Sequence, residues 1–528
     1  ELSASDAQFT GEFDVAAADL IADSITADAK VVDTGGLSFG DNVASAGGGG
    51  SGGGGSSGGN GANSGGANGG ANGGGNGANS GGGNGASGGG NGANAGGANG
   101  DGGANAADGN GGGDSSSDGG DGAANSDGAA DAANSAGGGS SSSDSASVDA
   151  KMDNIFAGSD LEGTVWQIEQ YRNQEFEEYL GVKANLDRQA VAISNFRNTL
   201  KQLNEQTNTN TAIIYMVARQ EQLEVVIFTG EGDPIRTSVP EAKREVLMPL
   251  LTKLRSEMTN PRKRNTTSYL PFAQELYKLM IAPIEKALEG KTIDCLVFSM
   301  DAGLRSLPIG ALHDGEKFLA EKYSLGMIPS FALLDSTYHS LKGAKIMALG
   351  ASQFSDNTPL PAVPVELKTV TSELGADKFY LNQEFTRANL SQPRSADSAN
   401  ILHLATHADF QPGALTNSYI HLWNDKLTLD QIPDMGWGNP PLDLLVISAC
   451  RSALGDREAE LGLAGLAVKS GVRTAIASLW SVSDEGTLAL MSEFYRQIET
   501  APTKAEALRR AQVAVIRGEI TVQNGTLR

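Results

Sequence analysis

The sequence predicts an α/β fold: a largely parallel sheet flanked by helices and preceded by a disordered glycine-rich linker. Three observations predict it. From Ile293 onward, short apolar runs alternate with helical patterns, as in parallel strands joined by crossover helices. The runs 401–407 and 444–450 are largely apolar, which suits parallel strands buried on both faces. Residues 40–147 are almost entirely Gly, Ala, Asn, Ser and Asp, a composition that cannot bury enough apolar surface to offset chain entropy.

Residues 1–39 alternate weakly. Their short turns resemble the last rungs of a β-solenoid passenger of the filamentous-haemagglutinin type; the other reading is a segment without stable structure. The resemblance implies an upstream passenger and a secreted or cell-surface location, and without it a cytoplasmic one. The first residue is Glu1 rather than Met, as expected for a fragment or processed product. Residues 40–147 hold no Lys or Arg, and no aromatic occurs between Phe39 and Phe156, so this stretch reads as a flexible, weakly acidic tether. A calcium-binding nonapeptide array would need large apolar positions in a nine-residue register, and these are missing.

Ordered sequence begins with a helical lead-in over 148–209. Leu161, Val165, Ile168 and Tyr179 recur at helical spacing, with Gly181 as a stop and Glu175, Glu177 and Glu178 as a solvated face. A second helix is expected over 188–204. Strands 211–218 and 223–229, joined by Arg219-Gln220-Glu221-Gln222, read as a hairpin. Helices follow over 247–258 and 272–288, with the basic run Pro261-Arg262-Lys263-Arg264-Asn265 as a surface loop between them. Strand 293–300 runs into Asp301-Ala302-Gly303-Leu304-Arg305-Ser306-Leu307-Pro308. Then come strand 345–350, helix 365–374, strands 401–407, 444–450 and 473–480, and helices 484–499 and 503–516. Thr503 stands at the N-cap of the last helix and Gly518 beyond its end.

Composition excludes several classes. The formal net charge is −24, from 39 basic and 63 acidic residues, which argues against a general binder of nucleic acid or anionic membranes. No run of 18 apolar residues exists to span a membrane. The two cysteines, Cys295 and Cys450, make no disulfide framework, and Cys295 lies in an apolar run expected in the core. No G-x-S-x-G elbow or P-loop occurs, and no cofactor is expected.

The chemistry is expected at two strand ends. One apolar run stops on His407 and the other on Cys450. Ligands of open α/β sheets bind beyond the carboxyl ends of the strands, and adjacent strands lie about 4.8 Å apart. An imidazole and a thiol could therefore meet, and a thiolate formed beside a histidine is a nucleophile near neutral pH. Ala449-Cys450-Arg451 overlaps the core of the caspase nucleophile signature, with His407 lying 43 residues upstream. The plainer reading is an inert buried cysteine and a satisfied histidine. His403 and His407, four apart, invite a zinc reading, but Leu404 follows the first histidine where a helical H-E-x-x-H needs glutamate, so no metal is expected. His313 reads as structural, His339 and His421 as surface or packing residues.

Taken together, these stretches resemble CHAT-domain peptidases, relatives of caspases and separases. Met300-Asp301-Ala302-Gly303-Leu304-Arg305-Ser306-Leu307-Pro308 and Ile328-Pro329-Ser330 are similar to the family's turn and its following P-S. Leu402-His403-Leu404-Ala405-Thr406-His407, Leu427-Thr428 and Ile447-Ser448-Ala449-Cys450 resemble the next three segments. Ala477-Ser478-Leu479-Trp480-Ser481-Val482-Ser483-Asp484 resembles S-L-W-x-V-x-D. The resemblance covers about residues 211–518 and implies a caspase-like peptidase domain over 210–528. It implies His407 as general base and Cys450 as nucleophile in cleavage of a protein substrate through an acyl-enzyme. Backbone N–H groups of Cys450 and Ala408 would hold the oxyanion.

The sequence departs from the family at two points: Ala408 replaces the usual glycine, and Arg451-Ser452 replace Glu-Thr. Alanine resists a left-handed backbone, so the oxyanion hole depends on the conformation at that position. Asp484 is assigned to substrate binding, favouring a basic P1 residue; the competing reading makes it the cap of the helix that follows. Two functional classes result. One is a cysteine endopeptidase, with or without an activating partner, and the other a caspase-like interaction module.

Overall fold

The computed structural model describes residues 155–528 except 157–159, 181–185, 187, 189–190, 264–265, 335–336, 356, 377, 393–397, 412, 449–450, 453–468, 481–482 and 524–525. The expectations for residues 1–39 and 40–147, for Gly181 and for Cys450 fall outside the described residues.

Two helices lead in, α1 (Leu161–Leu180) and α2 (Ile193–Thr207). Strand β1 (Thr211–Ala218) pairs antiparallel with β2 (Leu223–Thr229), Ala218 facing Leu223, so the four intervening residues form the expected hairpin loop. β3 (Ile235–Val239) extends the edge, and α3 (Arg244–Met258) follows. The helix expected over 272–288 is realised as α4 (Leu270–Leu276), a π turn (Tyr277–Ile281) and α5 (Ala282–Ala287). β4 (Cys295–Met300) and β5 (Ser324–Met327) then run parallel beside β1, giving a first sheet of order β3-β2-β1-β4-β5. The strand expected over 293–300 joins the hairpin, pairing parallel with β1. Its register, with Ile214 opposite Phe298, gives both strands buried faces.

A second sheet carries the predicted site. It contains β6 (Ile346–Gly350), α6 (Val363–Glu373) leading to β7 (Tyr380–Leu381), and β8 (Ile401–Ala405). After β8 come β9 (Ala408–Phe410), β10 (Tyr419–Leu422) and β11 (Asp425–Thr428). β12 (Leu444–Ser448), β13 (Arg451–Ser452) and β14 (Ala475–Ala477) follow, and α7 (Asp484–Ile498) and α8 (Lys504–Ile516) close the fold. The order β14-β12-β8-β6-β7 is parallel throughout. Numbered by appearance this is 2-1-3-4-5, whose switch point lies between β6 and β8, where open sheets bind ligands. Strands β11-β10-β9-β13 form a small sheet beyond that rim.

Strand alternation sorts the core into layers. In β1, Ile213, Tyr215 and Val217 face a cluster with Phe196 of α2 and Val165 and Ile168 of α1, while Ala212, Ile214 and Met216 face the opposite side. In β8, Leu402 and Leu404 join that opposite cluster, whereas Ile401 and Ala405 meet Leu367 of α6 and Phe494 of α7. Gly350 ends β6 where α6 starts: a Cβ there would lie 2.5 Å from the Ala405 carbonyl oxygen and 2.9 Å from Val363 Cγ1. Only glycine lets α6 sit this close to the rim. Thr503 caps α8 by accepting the Glu506 N–H, and Gly518 (φ 67°) closes its other end, as expected.

Glu175 is a correction. The run around Phe176 was expected to be solvated, and Glu178 is exposed, but Glu175 is buried with its Oε2 2.5 Å from Arg305 Nη2. On the same helix, Arg172 reaches Asp301 at 3.4 Å, and Glu169 accepts the Tyr215 hydroxyl and the backbone N–H groups of Phe331 and Ala332. A carboxylate enters the interior only where donors converge, and on α1 they come from distant segments.

Candidate active site

His407 lies two residues past the end of β8, at the carboxyl rim, half-exposed. Its backbone is held by β10: the His421 N–H donates to the His407 carbonyl at 2.9 Å, and Thr406 Oγ1 donates to the His421 carbonyl at 2.8 Å. The ring leans on Phe354 (centroids 4.7 Å apart) and on buried His421 (6.2 Å). His407 Nε2 stands 2.8 Å from the carbonyl oxygen of Thr358. A carbonyl only accepts, so Nε2 carries a proton, and Nδ1 is the nitrogen that holds the lone pair whenever the ring is neutral. Among the described residues, Nδ1 has no hydrogen-bond partner. This is the form a general base requires.

β8 and β12 are immediate neighbours, with Ala405 opposite Ser448. Beyond the rim, pairing resumes between β9 and β13, with Asp409 opposite Arg451. Positions 449 and 450 lie outside the described residues, but Ser448 before them pairs with Ala405 and Arg451 after them with Asp409, each two residues from His407. Ala408 begins β9 in extended backbone, facing Ile420, and is not among the positive-φ residues. Alanine therefore takes the glycine's place without strain.

Asp484 follows β14, which lies beside β12 with Ile476 opposite Val446. The expected capping role is corrected. Ser483 is the N-cap of α7, extended at φ −70°, ψ 127° and accepting from the Gly486 N–H, and Asp484 is already the first helical residue. Its Oδ2 instead accepts the N–H of Ala362, the residue before α6, at 2.6 Å. Burial raises its pKa above the ordinary range, and Glu366 and Glu485 add to this, while the Ala362 bond and nearby His407 pull the other way.

Beneath the rim lies a polar cluster on the helix-covered face. Glu366 of α6 is buried, and its Oε1 accepts from Ser448 Oγ at 2.5 Å and stands 3.1 Å from His403 Nε2. His403 Nδ1 lies 3.0 Å from the Tyr495 hydroxyl of α7. His403 and His407 thus face different surroundings, and among the described residues no group of three His, Cys, Asp or Glu side chains could hold a metal ion. His313 Nδ1 accepts the Gly315 N–H in a turn, and His339 stands 3.8 Å from Asp443. Cys295 is buried in the first sheet's strand β4. No helix among the described residues is long and apolar enough to cross a membrane.

Thr358, Glu366 and Ser448 were not singled out in the sequence. A backbone carbonyl has no side-chain signature, and Glu366 in Val363-Pro364-Val365-Glu366 looks like an ordinary first-turn acid.

Comparison with curated proteins finds none that matches the chain. Residues 270–525 match the family model of the CHAT domain, a caspase-like domain.

Proposed function

We propose that the domain is a cysteine endopeptidase acting on a protein substrate, with His407 as general base and Cys450 as nucleophile. What carries the reading is His407 itself. Its Nε2 is committed to Thr358, and its free Nδ1 lies on the rim where the strands leading to positions 407 and 450 run side by side. In the proposed reaction Nδ1 takes the thiol proton and the thiolate adds to the scissile carbonyl. The N–H groups of Cys450 and Ala408 hold the oxyanion, and the amine leaves with the proton that His407 returns. Water, deprotonated by the same imidazole, then hydrolyses the thioester. Asp484, on the same rim and near His407, would receive a basic side chain preceding the cut bond.

The test is a peptide probe bearing a thiol-reactive group, with the modified residue located by mass spectrometry. Labelling at Cys450 that disappears in His407→Ala supports the peptidase. A probe that reacts no faster at Cys450 than a free thiol would leave the caspase-like interaction module as the reading.

A further inference from the structure

We propose that Glu366 is a positioning residue for the reacting pair, holding the ends of the two strands that lead to His407 and Cys450. The inference rests on the reading of those residues as the pair. It starts from alternation along the strands. Ile401 and Ala405 of β8, and Leu444 and Val446 of β12, point to the face covered by α6 and α7. Period two puts His403 and Ser448 on that same face. It is an apolar layer, and a hydroxyl and an imidazole buried there need partners.

Glu366 supplies both. Its carboxylate takes the Ser448 hydroxyl at 2.5 Å and the His403 Nε2–H at 3.1 Å, so one side chain of α6 ties β12 to β8. The Tyr495 hydroxyl, kept protonated by burial and by the Glu366 charge, stands 3.0 Å from His403 Nδ1 and holds the other side of the ring. α6 is set in turn at its first turn, by the close approach at Gly350 and by the Asp484 bond to Ala362. Ser448 is the last residue of β12 and its carbonyl accepts the Thr406 N–H at 3.3 Å. A shift of Ser448 is therefore passed to the backbone next to His407. Glu366 touches neither substrate nor the reacting atoms; it acts through the strands.

The test uses the full chain with Glu366→Leu, Glu366→Gln and Ser448→Ala. Alkylation of Cys450 by iodoacetamide is followed across pH by peptide mass spectrometry, with Cys295 as internal reference, alongside kcat and KM on a peptide substrate. Glu366→Leu should slow Cys450 alkylation at neutral pH about tenfold, move its pH profile toward that of an ordinary thiol, and lower kcat more than KM. Glu366→Gln keeps an acceptor oxygen and should stay within about twofold of wild type, because the role is geometric. Ser448→Ala should fall between the two.

A folded Glu366→Leu protein with the wild-type alkylation profile overturns the proposal. Should that variant fail to fold, Ser448→Ala decides, and an unchanged profile there overturns it equally. An activated Cys450 that responds to Glu366 in a protein cleaving no peptide would sink the peptidase while sustaining the positioning role. A wild-type Cys450 that behaves as an ordinary thiol would sink both.

Discussion

The carboxylate of Asp484 accepts the backbone N–H of Ala362 at 2.6 Å, joining the first turn of α7 to the residue before α6. A side chain in a position suited to capping its own helix instead serves the start of another. The two helices that cover the sheet beneath the site are thereby fixed to each other at the rim.

This arrangement gives a signed stability prediction. The folded pKa of Asp484 is raised, so its protonated form is favoured by folding and its contribution is lost as pH climbs through the raised value. Asp484→Asn keeps an oxygen for Ala362 without the buried charge. It should melt above wild type at neutral pH, with the gap closing toward pH 4 in calorimetric scans.

The same variant tests specificity. In a library varied at P1, wild type should prefer Arg and Lys, and Asp484→Asn should lose about tenfold or more on those residues alone. Equal activity of the two proteins on every P1 residue would take Asp484 out of the pocket.

His407→Ala and Cys450→Ala should each abolish peptide cleavage. The double variant should lose no more than either single one, as expected of two residues that act as one unit. His407→Ala should leave the thermal transition within about 2 °C, since a half-exposed ring adds little packing.

Glu506 gives the opposite pH sign from Asp484. Burial alone would raise its pKa, but donors from Arg509, Ser324 and Arg510 outweigh it and bring the carboxyl down to about 2. Its contribution is therefore present above the unfolded value of 4.5 and is lost as pH falls toward 2. Glu506→Gln should lower the melting temperature at pH 7 and match wild type near pH 2.

Glu169→Ala would strand the Tyr215 hydroxyl and the N–H groups of Phe331 and Ala332. Leaving several buried donors unpaired should cost about 3 kcal/mol or more in denaturant unfolding, and Glu169→Gln less.

What the sequence made legible depended on whether a feature is written locally. His407 could be found because its strand is apolar up to the residue where it stops. The hairpin at Ala218 and Leu223 and the caps of α8 are likewise local chemistry. Ser483 and Asp484 are both capping residues, and their order of use was decided by Ala362, more than a hundred residues away in the chain. Glu175 looked solvated because its neighbours are acidic, yet Arg305, its partner, lies 130 residues on. The assignment of β4 to the hairpin sheet was equally invisible, since a parallel strand carries no mark of which neighbour it will take.

The buried charges of α1 also bear on how the chain is made. Arg172 finds Asp301 across 129 residues and Glu169 finds Phe331 across 162. At synthesis rates of roughly 5–20 residues per second, α1 leaves the ribosome on the order of 10 s before these partners exist. Until then its carboxylates and guanidinium belong in water, and its apolar stripe has no sheet to cover. α1, an early helix among the described residues, should therefore be among the last to settle, with late-made segments completing its site. Such long-range closure is intrinsically slow. A stalled or truncated product ending before residue 301 would present α1 uncovered, as a surface for chaperones.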